Sequence, residues 1–237
     1  MKIEDPHRRL ASLWSLIDRQ HNELIARHLA GKRVLDVGCG YGSLVEHLRL
    51  SGYNAQGIDF DPVSVEAAHQ LFPQAPVSLE DAETLERYPA GSFDSIVLKD
   101  ALHHLVCEGN FRASSQVFRR LLVPGGRLVV LDPNPMWILK AARLLAAHRD
   151  VEVSPKRAAT ELRENGFAIR GMEFYEILGL PLSGGYVGVR LVPNLAFLNS
   201  SVAGLNRLAS AAANGLGLGR WLCWRYIVHA DMVAVDK

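Results

Sequence analysis

No run of about 18 apolar residues occurs anywhere in the chain, so no segment has the length a membrane-spanning helix needs. The first ten residues, MKIEDPHRRL, are polar and lack the apolar stretch of a secretory signal. Cysteine is scarce: Cys39, Cys107 and Cys223 are scattered and form no Cys-x-x-Cys pair, which excludes a disulfide framework and fits ordinary thiols in a reducing compartment. Charge of one sign is missing too. Lys and Arg total 26 against 25 Asp and Glu, with no long basic run, so the electrostatic footprint of a nucleic-acid binder is absent and no such partner is expected. These absences together lead to the expectation of a soluble, cytoplasmic protein.

What is present is enough for one α/β domain with a modest insertion, since 237 residues that are 49% hydrophobic can bury a sizeable core. The chain is organised around Val34 to Gly42, VLDVGCGYG. A short apolar strand stops abruptly at Gly38, Gly40 and Gly42, and Ser43 is expected to cap a helix through Leu44, Val45 and Leu48. A strand, a bare turn and a helix N-terminus present unpaired backbone N–H groups to a polar or anionic ligand. Glycine suits the turn because a side chain would block close approach and because some of these positions require positive φ. Further on, Asn54 to Asp59 reads as a second strand ending in an acid, followed by Phe60, Asp61 and the helix starter Pro62. Asp59 sits where an acid of a doubly wound fold can accept hydrogen bonds from ribose hydroxyls, though an exposed acid capping the next helix is the competing reading.

Two nucleotide-type ligands fit such a turn. The dinucleotide fingerprint Gly-x-Gly-x-x-Gly would need glycine at position 43, which is Ser43. Asp36-x-Gly38-x-Gly40-x-Gly42 instead resembles the first motif of the class I S-adenosylmethionine-dependent methyltransferases. GSFDSIVLKDALHHL, with the strand Phe93 to Leu98, and LLVPGGRLVVLDP, Leu121 to Pro133, extend the resemblance over roughly 100 residues. It implies a Rossmann-like, doubly wound α/β fold. Its seven-stranded sheet is mostly parallel with an antiparallel last strand and has helices on both faces. Departures from the minimal family are N-terminal helices, a helix after the fifth strand and a helical insertion before the last strand. The expected organisation is a single domain, residues 1–237, with a helical lid at 1–30, a core at 31–178 and 224–237, and the insertion at 179–223.

The resemblance also implies the cofactor, S-adenosylmethionine, and its site. Carried onto this sequence, that site comprises Asp36, Gly38, Cys39, Gly40, Tyr41 and Gly42 of the turn, Asp59 and Phe60 after the second strand, Asp81 and Ala82 after the third, and Lys99 at the end of the fourth. Asp81 matches the place of an acid that accepts from the adenine amino group, with a solvated loop carboxylate as the alternative. Candidates for proton removal from an acceptor are His103, His104, Asp100 and Asp132. Asp100 lies three and four residues from the histidines, so one helical turn could bring a carboxylate and an imidazole together, with structural hydrogen bonding as the competing account. No metal is expected, because the histidines form no His-x-x-x-His pair and have no Cys or Glu triad at ligand spacing.

Elsewhere, Leu10, Leu13, Trp14, Ile17, Leu24, Ile25 and Leu29 recur at helical spacing, with Trp14 and His21 the chemically interesting side chains. Helices are expected at Met136 to His148 and Ser154 to Asn165, and strands at Phe167 to Leu178 and Tyr226 to Val235. In the insertion, Leu195, Leu198, Val202, Leu205, Ala209 and Ala212 form an apolar helical stripe, with Asn199, Asn206 and Arg207 off it; this reads as a lid hinged at glycines such as Gly184 and Gly215, or as plain packing. The functional expectation is an enzyme that transfers a methyl group to a small, apolar or lipid-like molecule, with peripheral membrane contact. The Asn/Asp-Pro-Pro-Tyr motif that accompanies methylation of planar amides is absent from Lys99 to Leu102. Alternatives are a catalytically silent binding or scaffolding protein of the same fold and a nucleotide-dependent oxidoreductase.

Overall fold

In the computed structural model, which describes residues 12–136, 152–183 and 192–233, helix α1 (Leu13–His28) leads through Gly31 into strand β1 (Arg33–Val37). Gly31 is required at that junction: its φ is +70°, and a Cβ there would lie 2.4 Å from a carboxylate oxygen of Asp94. Helix α2 (Ser43–Leu50) follows the glycine turn, then β2 (Asn54–Asp59), α3 (Pro62–Leu71), β3 (Val77–Leu79) and β4 (Phe93–Lys99). The short α4 (Leu102–Cys107) and α5 (Phe111–Leu121) precede β5 (Leu122–Pro133). Among the described residues, α6 (Pro155–Glu164) and β6 (Phe167–Tyr175) are followed by α7 (Gly179–Ser183), α8 (Ala196–Gly215), α9 (Gly219–Leu222) and β7 (Arg225–Met232).

The strands form one sheet in the order β3-β2-β1-β4-β5-β7-β6, mostly parallel with the last strand antiparallel. Leu35 pairs with Gln56 on one side and Ile96 on the other, and Ile96 with Leu128. Val34, Leu35, Ile96, Val97, Leu98 and Leu128 to Leu131 are all completely buried, the continuous apolar runs of strands covered on both faces. Between Phe93↔Leu122 and Ser95↔Arg127 the β5 side carries extra residues, so the Pro-Gly-Gly turn lies inside β5 as a bulge, with Gly125 at φ +73°. The chain order reverses between β1 and β4, and their carboxyl ends open the crevice in which such sheets bind ligands.

Local signals explain the helices. Asp61 caps α3 by accepting from the N–H groups of Val63 and Ser64, with Pro62 at the first turn. Asn110 caps α5, whose buried residues Phe111, Ser114, Ser115, Phe118 and Leu121 step by three and four. Ser154 and Pro155 start α6 as expected, and Gly166 at φ +86° ends it. For α2 the expectation needs correction: the cap is Gly42, at φ +75°, and Ser43 is the first helical residue, with no side chain closing the helix end.

Among the described residues, 22–132, 153–172 and 227–233 make one compact unit, and 12–21, 133–136, 152, 173–183 and 192–226 a second. In the second, Leu13, Ile17 and Ala203 form an apolar cluster with Leu16, Leu182 and Val202 against it. Beside it lies a buried polar network. Gln20 donates to the Ala203 carbonyl at 2.7 Å and accepts from the Tyr175 hydroxyl at 2.9 Å and from Asn206 at 3.1 Å. The Asn206 carbonyl oxygen accepts the backbone N–H groups of Ile177, Leu178 and Gly179. Glu176, fully buried at φ +71°, accepts from Arg225 Nε at 3.0 Å and lies 3.0 Å from His21 Nε2. Positive φ at Glu176 also ends β6 at Tyr175, three residues before Leu178.

The stripe reading of α8 holds only in part: Val202 packs against the Leu13, Ile17 and Ala203 cluster and Leu198 and Ala209 are half-buried. Its buried side chains are Asn199, Ala203, Asn206, Ser210 and Ala213, whereas Leu195 and Leu205 are exposed. The polar face turned inward because the backbone turn at Ile177 to Gly179 needs an acceptor that only a side chain such as Asn206 supplies. Leu10, the Met136 to His148 helix beyond Met136, the Gly184 hinge and the end of the last strand at Val235 lie outside the described residues.

Candidate active site

The glycine turn is built by two strands. Gly38 and Cys39 both donate their N–H groups to the Ile58 carbonyl, at 2.9 and 3.0 Å, which ties the turn after β1 to the end of β2. Gly38, Gly40 and Gly42 all have positive φ, at 71°, 51° and 75°. They are bare for different reasons. A Cβ on Gly38 would meet Ala101 at 2.8 Å, while a Cβ on Gly40 would meet open space. Asp59, only 8% exposed, holds the turn from β2: one oxygen accepts from the Gly40 N–H at 2.7 Å and the other from Asp61 N–H at 2.9 Å. A carboxylate has room for further donors on both oxygens.

Beyond this turn lies an open cavity of about 590 Å³. Among the predicted residues it brings together Gly38, Asp59, Phe60, Asp81 and Ala82 with Asp100 and His104. Phe60 is 75% exposed. Asp81 accepts from the Glu83 N–H at 2.9 Å, which shapes the loop after β3. Asp100, at φ +57°, donates its N–H to the Leu131 carbonyl and marks a constrained backbone at the end of β4. Asp36, Cys39, Gly40, Tyr41, Gly42, Lys99, His103 and Asp132 do not line the cavity itself. Asp36 is buried within β1, and burial, reinforced by Asp36 and Asp59, pushes the Cys39 thiol far above its usual range, so it stays protonated.

Lys99 is anchored by a residue the sequence did not single out: Asn22 of α1 accepts from its ammonium at 2.6 Å and donates to the Ser43 carbonyl at 3.4 Å. The histidines take separate partners. His103 Nδ1 lies 2.9 Å from Asp132, whose side chain is fully buried; His104 Nδ1 lies 2.7 Å from exposed Glu108 one turn on, and the hydrogen bond to His104 holds the Glu108 carboxyl below its usual range. The two imidazoles are 4.2 Å apart. Among the described residues no group of His, Cys, Asp and Glu is arranged to hold a metal ion.

Seven of the seventeen lining residues are carboxylates and none is Lys or Arg. One of the seven, Glu80, is paired with Arg87. Such a cavity repels the pyrophosphate of a dinucleotide and attracts a cationic ligand. The acidic lining thus fits the sulfonium cofactor better than the dinucleotide.

Comparison with known proteins agrees. The family described as "Methyltransferase domain" matches residues 35–130. A ubiquinone biosynthesis O-methyltransferase of Pseudomonas aeruginosa (strain UCBPP-PA14) is 32% identical over 165 residues, covering 64% of this chain and 69% of that protein. The chain belongs to the class I S-adenosylmethionine-dependent methyltransferases. The protein of the same description from Dechloromonas aromatica (strain RCB) is 35% identical over 134 residues, 54% of this chain and 56% of that one, so the chain matches little more than half of that relative's length. A solved S-adenosylmethionine-dependent methyltransferase from Archaeoglobus fulgidus shares the fold at a TM-score of 0.63 and 19% identity, covering 92% of this chain and 93% of that one.

Proposed function

We propose that this methyltransferase moves the methyl group of S-adenosylmethionine to a hydroxyl of a small, apolar, lipid-like acceptor. The observation that carries the reading is the acidic cavity beside a bare glycine turn. When bound, the cofactor supplies an electrophilic methyl group on a cationic sulfur. Asp59 would accept the ribose hydroxyls with the lone pairs that Gly40 and Asp61 leave open, Asp81 and Ala82 would hold the adenine end, and the turn from Asp36 to Gly42, with Lys99, would hold the methionine end. The protein's main contribution is alignment and exclusion of competing water.

A hydroxyl acceptor also needs a base. His103 suits the role because its Nδ1 lies 2.9 Å from the buried Asp132 carboxylate, which orients the ring and favours its protonated form. His104 is engaged with Glu108 and Asp100 shapes the cavity wall. The choice of oxygen and of an apolar acceptor rests on the relatives' description as ubiquinone biosynthesis O-methyltransferases and on the apolar insertion.

The test is transfer of a labelled methyl group to a set of apolar phenols and hydroxylated lipids. With an accepted substrate, His103→Ala should lower the maximal rate about a hundredfold with cofactor affinity unchanged, and His104→Ala should lower it much less. A His103→Ala rate equal to the parent's would leave the His103–Asp132 pair a structural one.

A further inference from the structure

A second cavity, of about 330 Å³, shares no lining residue with the acidic one. It is lined by Gln116, Arg119 and Arg120 of α5 and by Met232 and Val233 at the end of β7, all within the same compact unit. Gln116 stands three and four residues before the two arginines, so one helical turn places an amide and two cationic side chains on neighbouring positions. Helix α5 ends where β5 begins, and β7 runs antiparallel to its neighbours. This cavity therefore sits at the amino edge of the parallel strands, opposite the edge at which the acidic cavity opens.

Arg119 is the informative residue. It is half-buried, its Nε is buried without an acceptor, and among the described residues it makes no hydrogen bond or ion pair. A guanidinium carries five N–H donors and keeps its charge, so withdrawing it from water without acceptors is unfavourable. A glycine fixes its place: a Cβ on Gly166 would fall 2.6 Å from Nη1, 2.7 Å from Cζ and 3.0 Å from Nε. The bare backbone that ends α6 thus seats the guanidinium, and Val233 donates its N–H to the Gly166 carbonyl at 3.0 Å, which brings the end of β7 to the same place. Arg120 is held by donation to the carbonyls of Tyr88 at 2.7 Å and Leu85 at 2.6 Å. Complementing the negative end of α5 is the plainer account of two arginines in its last turn, but that needs only their charge and not a buried, unused Nε. Helix α5 carries a third arginine, Arg112, and no acid, and among the described residues no carboxylate lines the cavity. A positive, partly dewatered cavity with unused donors selects an anion, and the guanidinium fork matches phosphate oxygens. The remaining wall, Met232 and Val233, is apolar, and the volume exceeds what a lone phosphate fills.

We infer that this cavity is a binding site for a small phosphate ester, with the phosphate against Arg119 and Arg120 and the apolar body of the ligand on Met232 and Val233. The site does not depend on which acceptor is methylated. The experiment is calorimetric titration of the full chain with phenyl phosphate and, separately, with inorganic phosphate, at low and high salt. Phenyl phosphate is expected to bind at one site per chain, about tenfold more tightly than inorganic phosphate, and to weaken as salt is added. Arg119→Gln should weaken it by about tenfold or more. Gln116→Glu, at an exposed position, should weaken it similarly by placing a carboxylate at the rim. In both variants the melting transition and the affinity for S-adenosylmethionine should match the parent's, which separates this site from the acidic cavity. Absence of saturable binding by the parent, equal affinity for inorganic phosphate, or binding unaltered in both variants would each overturn the inference. So would binding seen only after Asp236→Asn, because the arginines would then serve the chain's own acidic end.

Discussion

Asp59 carries two duties. Its oxygens fasten the glycine turn through Gly40 and Asp61, and on the proposed reading the same carboxylate holds the ribose. Loss of charge-assisted hydrogen bonds to two hydroxyls costs on the order of 2 kcal/mol, so Asp59→Ala should weaken cofactor binding at least about tenfold by calorimetry. Equal affinity in a folded variant would remove Asp59 from the site. At this scale the sequence was informative wherever a residue's role follows from its own backbone position. Gly38, Gly40 and Gly42 interrupt an apolar strand, and all three adopt the positive φ that only glycine takes easily. Roles that depend on a distant partner were harder to read. Nothing in the spacing links Asn22 to Lys99, 77 residues away, and the pairing of His103 with Asp132 required β4 and β5 to be neighbours first.

Among the elements, β1 and β4 are joined at their beginnings by Asp94, which accepts the N–H groups of Lys32 and Arg33 at 2.9 Å and the Arg33 guanidinium at 2.6 Å. The hydrogen bond from Arg33 is the largest influence holding the Asp94 carboxyl below its ordinary value of 3.8. Because the folded pKa is depressed, this contribution is complete above the ordinary value and fades as pH falls through the lower, folded one. Asp94→Asn should therefore melt below the parent at neutral pH, with the gap closing as pH drops below about 4. A gap constant with pH would show that the ion pair contributes nothing to stability. In α8 the element-level reading missed the fully buried row for a physical reason. Periodicity assumes that the apolar face is the buried one, but here backbone N–H groups at Ile177 to Gly179 draw Asn206 inward. Asn206→Leu would bury those groups without an acceptor, at about 1–3 kcal/mol for an unsatisfied donor, and should lower the denaturant midpoint by an equivalent amount. A leucine variant as stable as the parent would contradict the account of α8.

For the whole molecule, strand order and cavity follow from a sequence pattern in which strands and helices alternate and the order reverses between β1 and β4. That much was legible because both alternation and the Gly-rich turn are local. The cavity's sign was not, since its seven carboxylates come from four segments, after β2, β3, β4 and α4, that meet only after folding. That sign now separates the two nucleotide-type ligands the turn alone left open. Isothermal titration of the folded chain with S-adenosylmethionine, its demethylated product and the oxidised nicotinamide dinucleotides tests the point directly. The account predicts saturable binding of the first two at one site per chain and none of the dinucleotides; dinucleotide binding, or a folded chain that takes up neither sulfur ligand, would contradict it.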